Sequence, residues 1–560
     1  MVSRSVAAAW GRSRCRDCLA RECKFIHCGC AVKNASLRTH LFYSLGLALV
    51  LRLFCGFFVW GPQGLDDYLD NLIPAWRWTQ GLDPGLQDYR SPFYVYILRV
   101  WLGLGEFFGI KFALWQIRWV YFFQGLCSLL AIAGVYLLVR RHPDKRAARI
   151  SLYLCAAHAV MPFASTRSFM ESFAIGFTTL GVAFLVEDER RLNPGWRSFW
   201  GWALVGFSTL ARFQIGIIYL AWGLVLIFRR RAKALLYGLV CGCALLVAEG
   251  LIDWGYGRYP FQTLHDYFVF NQDQSKSGVM PWYNTWLTWL GALFFPVSLV
   301  FARKWLQAFR EYGLLLVPVL SYVVTHSIYP HKEERYLYPI LALSLVFMAR
   351  ACSLAADSPG FRWIFRPFFW FLNTLALVVF CFVNTQESLV GPYAKTQLLS
   401  SRVLYFDFDH LDARDWMSEF FTRGTSVVLH PSRELQVGAY ATSGFTSSAA
   451  RGGSVGTSAF AATWIEQESA KYPQLDRFAL ISSSPEAETA FRKSYQDLSV
   501  RHECTELFEA SSLTDRILYR VNPKGNPRRR GSLFFSCRSS DIRPNLFQNK
   551  RPEFSHGDGL

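Results

Sequence analysis

Two groups of ionisable residues stand against an otherwise apolar sequence, and both have the composition of a site that handles protons and anions. The first is Asp66-Asp67, followed by Tyr68, Leu69 and Asp70, immediately beyond the first long apolar segment. Adjacent carboxylates suit a general base, because a neighbouring like charge raises the pKa of one of them toward the useful range. The same residues also suit a simpler task, with Asp66 capping an interfacial helix over Tyr68 to Gln80. The second group is His331-Lys332-Glu333-Glu334-Arg335-Tyr336-Leu337-Tyr338-Pro339, between apolar runs at 312–330 and 336–349. Charges held against a bilayer cost free energy unless they pair or serve a ligand, which makes this block a candidate site. The alternative is an interfacial loop in which Lys332 and Arg335 neutralise Glu333 and Glu334, with Tyr336 and Tyr338 anchored among headgroups.

Two isolated arginines pose a similar choice. Arg167, in Ser165-Thr166-Arg167-Ser168-Phe169-Met170-Glu171-Ser172, either offers its forked donor to a phosphate or pairs with Glu171 at i,i+4 spacing. Arg212, between two apolar segments, is either a phosphate contact or a snorkelling anchor. Phe270-Asn271 and Gly278-Val279-Met280-Pro281-Trp282-Tyr283 supply aromatic faces and an amide for a sugar, although Trp and Tyr at a membrane boundary are first of all belt residues.

The charged block is similar to the hallmark His-Lys-Glu-x-Arg block of the glycosyltransferase family 22 mannosyltransferases, membrane enzymes of GT-C architecture. The turn around Arg167 resembles that family's Thr-Arg-Thr turn. Asp253-Trp254-Gly255-Tyr256-Gly257, Phe270-Asn271 and Gly278 to Tyr283 resemble its Asp-x-x-Tyr-Gly, Phe-Asn and Gly-x-x-Pro-Trp blocks. The blocks are collinear over roughly residues 40 to 390. Aligned with the family's His-Pro-Asp-Glu loop, Asp66 takes the place of the catalytic base and Asp67 that of the Glu, while Gly64-Leu65 replaces His-Pro. The resemblance implies donor-phosphate binding by Arg167, Arg212, His331, Lys332 and Arg335. It implies substrate binding by Glu171, Asn271, Trp282, Tyr283 and Glu333. It also implies a polyprenyl-phosphate (dolichyl-phosphate) mannose donor and a lipid-linked glycan acceptor.

The elements that must position these residues are membrane helices. With 52% hydrophobic, 17% aromatic and 18% charged residues in 560, the chain is an α-helical polytopic membrane protein. Windows of about 20 residues place about eleven spans at 41–60, 112–139, 147–164, 169–186, 197–211, 213–228, 234–253, 283–302, 312–329, 336–350 and 367–384. The clusters Arg140/Arg141/Lys145, Arg190/Arg191/Arg197, Arg229 to Arg231, Arg303/Lys304/Arg310 and Arg350/Arg362/Arg366 then fall on one side, the cytoplasm. Asp66, Arg167, the 254–282 loop and the charged block fall together on the other.

The net charge of +18 therefore belongs to loops facing anionic lipid and not to a nucleic-acid surface. Four regions follow: a basic Cys-containing leader at 1–38, a catalytic membrane domain at 39–390, an extracytoplasmic α/β module at 391–521, and a basic disordered tail at 522–560. In the module, Thr425–Leu429, Phe478–Ser482 and Arg516–Val521 read as strands and Pro485–Gln496 as a helix. The 14 cysteines form no disulfide scaffold, and Cys15, Cys18, Cys23, Cys28, Cys30 and His27 lack the regular second pair of a zinc site. No metal or other cofactor is expected, since the one Asp-x-Asp pair, Asp407 and Asp409, lies in the module. The other polytopic function consistent with the pattern is a flippase of lipid-linked sugars, or a non-catalytic subunit of a glycan assembly complex.

Overall fold

The computed structural model describes residues 36–63, 67–191, 195–272, 279–293, 302–384 and 390–394. Of the C-terminal region it describes 403–407, 420–421, 427–429, 465–466, 469–471, 475–482, 488–512, 515–517, 520 and 532–538. Asp66, the leader cysteines with His27, and Asp409 lie outside the described residues.

The membrane domain runs α1 (Leu37–Phe58), a π turn (Tyr68–Leu72) continuing into α2 (Ile73–Thr79), α3 (Pro92–Phe107), α4 (Ala113–Val139), α5 (Lys145–Ala157) and α6 (Val160–Ala164). It continues with α7 (Met170–Arg191), α8 (Trp196–Ala211), α9 (Gly216–Phe228), α10 (Ala232–Gly255), α11 (Gln262–Gln272) and α12 (Asn284–Ala292). The last four are α13 (Ala302–Glu311), α14 (Gly313–Ile328), α15 (Tyr338–Ala355) and α16 (Arg366–Phe382). The central members are α7 and the helix running into α15, each 83% buried along its apolar window, against 22% for α10 and α16 at the periphery. Glycines allow the close approach: a Cβ on Gly176 would meet the Cys127 carbonyl oxygen at 2.1 Å, and one on Gly181 would meet the Val205 side chain at 2.8 Å.

Among the described residues six helices are long and apolar enough to cross a bilayer, or seven if α13 and α14, bent by 112°, form one span. Several of the remaining expected spans are short. At 1.5 Å per residue the 16 residues of α8 and of α14 reach about 24 Å and the 13 of α9 about 20 Å, less than the roughly 30 Å hydrocarbon core. The α8–α9 junction at Arg212 and the end of α14 near His326 meet as a polar floor at one end of the bundle.

At the opposite end the basic clusters are tied together. Glu187 pairs with Arg140 at 2.8 Å and Arg141 at 3.1 Å, Glu189 with Arg229 at 3.1 Å and Arg231 at 3.3 Å, and Arg350 with Asp144 and with Glu311 at 2.6 Å. Loops assigned to one side by charge are thus neighbours in space.

The C-terminal module holds β1 (Val403–Asp407), β2 (Val427–Leu429), β3 (Arg477–Ser482), α17 (Glu488–Ser499), β4 (Phe508–Ala510) and β5 (Ser532–Arg538). Its sheet order is β2-β1-β3-β5-β4, with β1 parallel to β2 and β3, and β5 antiparallel to β3 and β4. Three expectations are corrected here. The 522–560 stretch is not wholly a disordered tail, because the short apolar run Leu533-Phe534-Phe535 in Ser-Leu-Phe-Phe-Ser-Cys-Arg forms the interior strand β5, buried on both faces and paired on both flanks. Asp515–Ile517, within and beside the expected last strand, is helical instead. The module also carries one disulfide, Cys504–Cys537.

Candidate active site

The first outer loop enters the site through Asp67. Asp67 is completely buried, and the Ser168 hydroxyl donates to its carboxylate while lying 2.8 Å from its backbone carbonyl. The Gln63 amide approaches the other carboxylate oxygen at 3.4 Å. Burial raises the Asp67 pKa above the usual aspartate range, with the Arg167 guanidinium and the Ser168 bond offsetting it in part. Beside it Arg167 is fully enclosed. One arm donates to the Gly61 carbonyl at 3.0 Å, the other approaches Thr166 Oγ1 at 3.2 Å and Cys55 Sγ at 3.8 Å, and the plane lies 4.1 Å from the Tyr121 ring centroid and 4.7 Å from that of Phe163. These contacts seal the turn against the loop and leave Asp67 and Arg167 no exposed face.

Arg212 is arranged differently. Its Nε meets Glu171 Oε1 at 3.1 Å and Gln214 Oε1 at 3.1 Å, and its guanidinium carbon stands 5.2 Å from the Tyr336 ring centroid. Among the described residues its two terminal NH2 groups have no hydrogen-bond acceptor. Glu171, one turn into α7, is thus committed to Arg212 and not to Arg167, the partner expected from i,i+4 spacing.

The charged block closes the same floor. Glu333 accepts from Arg335 and, at 2.8 Å, from His331, while Lys332 donates to the Tyr329 carbonyl and Arg335 lies 4.6 Å from the Phe169 ring centroid. The Tyr338 hydroxyl donates to Gln63 Oε1 at 2.9 Å, joining the block to the loop that contains Asp66 and Asp67. Asp67, Arg167, Glu171, Arg212 and the 331–338 block are therefore brought together as expected. Asn271 turns its amide to its own helix at Tyr267 O, 2.6 Å away. Trp282 and Tyr283, at 67% and 49% exposure, stand at the rim, where the Met280 amide bonds to the Pro330 carbonyl at 3.0 Å.

Several residues were missed by sequence reasoning. His326 and Gln214 extend the Arg212 group, His326 Nε2 lying 3.4 Å from Gln214 Oε1, and a lone histidine near the end of an apolar helix was the available signal. Tyr267 on α11 faces the same charges. Arg90 pairs with buried Asp70 at 2.5 Å, one turn after Asp67. Arg258 anchors the loop carrying Arg90 through the carbonyls of Leu86, Gln87 and Arg90 at 3.0 to 3.3 Å, and donates to Thr263 Oγ1 at 2.7 Å. Asp253, from the aromatic block, bonds to Thr263 and supports this anchor.

Comparison with known proteins gives a consistent frame. The model of the Alg9-like mannosyltransferase family matches residues 78–403. GPI mannosyltransferase 3 of Candida albicans is 26% identical over 235 residues, 40% of this chain and 46% of that protein. GPI alpha-1,2-mannosyltransferase 3 of Danio rerio is 22% identical over 286 residues, 49% of this chain and 50% of that protein. The matches thus span about half the length of these relatives. Among solved structures, ArnT from Cupriavidus metallidurans in the apo state superposes with a TM-score of 0.52 at 13% identity, covering 90% of this chain and 98% of that one. The undecaprenyl phosphate-bound form gives 0.50 at 14% identity, covering 88% and 97%. At these identities the likeness is one of fold, the GT-C architecture.

Proposed function

Because the chain belongs to the Alg9-like mannosyltransferase family, whose model matches more than half of its length, we propose that it transfers mannose from a polyprenyl-phosphate carrier, dolichyl phosphate in a eukaryotic membrane, to a lipid-linked glycan. Transfer takes place on the lumenal side of the endoplasmic reticulum membrane. The observation that carries this reading is the Arg212 guanidinium, fixed through Nε by Glu171 and Gln214 with its fork uncommitted, on the polar floor at one end of the bundle. A phosphate on a lipid tail reaches such a floor sideways from the bilayer, and a forked charged donor matches its oxygens.

The roles divide accordingly. Asp66 is the general base: its carboxylate takes the proton of an acceptor hydroxyl as that oxygen attacks the anomeric carbon of mannose. The bond from that carbon to the phosphate oxygen breaks, the polyprenyl phosphate departs, and the configuration inverts. Arg212, with Arg335, His331 and Lys332, neutralises the departing phosphate. Glu171 holds Arg212, and Glu333 holds Arg335 and His331, so both carboxylates act through the cations and not on the sugar. Asp67 and Arg167 anchor the loop. Trp282 and Tyr283 meet the glycan at the rim.

The test is transfer by membranes expressing the chain, using dolichyl-phosphate [³H]mannose and endogenous lipid-linked acceptors. Label should enter glycolipid from this donor and not from GDP-mannose when dolichyl-phosphate-mannose synthesis is blocked. Label entering from GDP-mannose under that block would overturn the donor assignment, and no incorporation from either donor would overturn the reading as a whole.

A further inference from the structure

The sheet of the C-terminal module is buried on both faces, one covered by the module alone and the other shared between the module's Tyr393, Phe420 and Phe421 and the membrane domain. Alternation along the strands sends Leu404, Phe406, Phe478, Leu480, Phe535 and Cys537 to one side, where they pack with Phe491 and Leu498 of α17. The intervening residues Val403, Tyr405, Ala479, Ile481 and Phe534 belong to a different cluster, shared with Tyr68, Leu72 and Trp76 of the first outer loop. Phe420 meets Trp76 edge-on at 5.4 Å between ring centroids. On its other side the same loop segment packs against the bundle through Tyr94, Ile117, Val120 and Tyr121. The Tyr68–Thr79 segment is therefore a middle layer between membrane domain and module, and it begins two residues after Asp66. If the module swung away, this face would lose the cover that Tyr68, Leu72 and Trp76 share with it and keep only that of Tyr393, Phe420 and Phe421.

We propose that the module is a clamp that positions the base-bearing loop, and that the Cys504–Cys537 disulfide makes its grip dependent on redox state. β5 is an interior strand of the sheet that supplies Phe534 to the docking face and Phe535 to the α17 face, and Cys537 near its end is tied to Cys504, ahead of β4. Opening the bond by two exchanges with a dithiol such as dithiothreitol leaves two cysteine thiols and converts the reagent to its cyclic disulfide. Strand β5 then loses its covalent tether, and the face gripping Trp76 loosens. Trp76 and Phe420 act here as positioning residues, since they touch neither the donor nor the reacting hydroxyl.

The proposal rests on the transfer reading only for its activity arm, so it is tested on the detergent-solubilised full chain with two readouts. One is tryptic cleavage after Arg77, in the middle layer, and the other is kcat and donor KM for mannose transfer. Dithiothreitol should expose Arg77 to trypsin in the wild type and lower kcat several-fold with donor KM unchanged. The variant Cys504→Ser/Cys537→Ser should match the reduced wild type with or without reductant. Trp76→Ala should do the same, and Trp76→Phe should recover most of both readouts. Should the double-serine variant fail to fold, the reductant titration of folded wild type decides alone. Arg77 protection that survives reduction would overturn the proposal, as would exposure without loss of kcat or a rise in donor KM that accounts for the whole effect. If the wild type transfers no mannose, the functional reading fails while the protease arm still decides the clamp.

Discussion

Arg167 and Arg212 lie at the same end of the same bundle, each next to an apolar helix, and from the sequence they look alike. In the structure Arg167 has both arms committed to the protein and aromatic rings on its faces, whereas Arg212 is gripped only at Nε and keeps its fork uncommitted. The same contrast separates their acidic neighbours. Asp67 is sealed beneath Ser168, and Glu171 serves as the strut of an open cation. A charge whose two arms are bound within the fold, between aromatic rings, holds the fold together. A charge fixed at its root and open at its tip is available for a ligand.

The largest expected effect breaks or sharpens this contrast at the adjacent carboxylates. Asp66→Asn removes the proton acceptor at constant size, so turnover should fall by about two to four orders of magnitude, the usual contribution of a general base. Asp67→Asn should leave most of the activity, because the amide can still accept from Ser168. Rates of mannose transfer for the two purified variants decide it. If Asp66→Asn is as fast as wild type while Asp67→Asn is dead, the sealed residue is the base and the contrast collapses.

Next come the arginines themselves. Arg167→Ala leaves the buried Gly61 carbonyl without its donor and opens a cavity between Tyr121 and Phe163, a loss of about 1–3 kcal/mol for the stranded carbonyl alone, so it should show as a fall in folded yield before any kinetic change. Arg212→Lys keeps the positive charge beside buried Glu171 but loses the fork, so it should fold, with its donor kcat/KM lowered by about ten- to a hundredfold, equivalent to about 1.5–3 kcal/mol for a charged hydrogen bond. Monodispersity by size exclusion, followed by kinetics on the folded fraction, separates the two outcomes. Arg167→Ala folding normally with a raised donor KM would make it a phosphate ligand after all.

Much of this site was legible because charge is conspicuous against apolar runs: the 331–338 block, Arg167, Arg212 and the Asp66-Asp67 pair needed only their neighbours to be noticed. Which arginine is enclosed was not legible, since enclosure depends on Tyr121, Phe163 and Gly61, distant in sequence. Asp70 stood out beside Asp67, but its pairing with Arg90, twenty residues on, was not legible, and Arg258 was hidden by the aromatic block beside it. The membrane fold was carried by hydropathy, yet hydropathy does not show that α8, α9 and α14 end at Arg212, Gln214 and His326 in one polar floor. Strand β5 was lost because composition averaged over 522–560 conceals the short apolar run Leu533-Phe534-Phe535.

A smaller effect concerns the bond that seals the loop. Ser168→Ala removes the donor to a buried carboxylate and should cost about 1–3 kcal/mol of stability. The midpoint of thermal unfolding should drop accordingly, with donor KM unchanged in the folded enzyme. An unchanged midpoint would mean that Asp67 is held by something other than the Ser168 hydroxyl.

The smallest effect is a slope with pH, and it asks whether Asp67 is carried as a carboxylate or as a carboxylic acid. Burial pushes its folded pKa up, and Arg167 and Ser168 recover only part of that shift, so the native state holds the proton more tightly than the unfolded chain does. For an acid shifted in this direction the stability contribution is fully present below the unfolded pKa and is lost as pH rises through the folded one. Wild type should therefore lose stability relative to Asp67→Asn as pH climbs above the ordinary aspartate range, the asparagine having no proton to lose. Thermal midpoints of the two proteins across that range give the difference directly, and contributions from every other titrating group cancel in it. A wild type that instead gains on Asp67→Asn with rising pH would show that the Arg167 charge outweighs burial and that the pair is a true internal salt bridge.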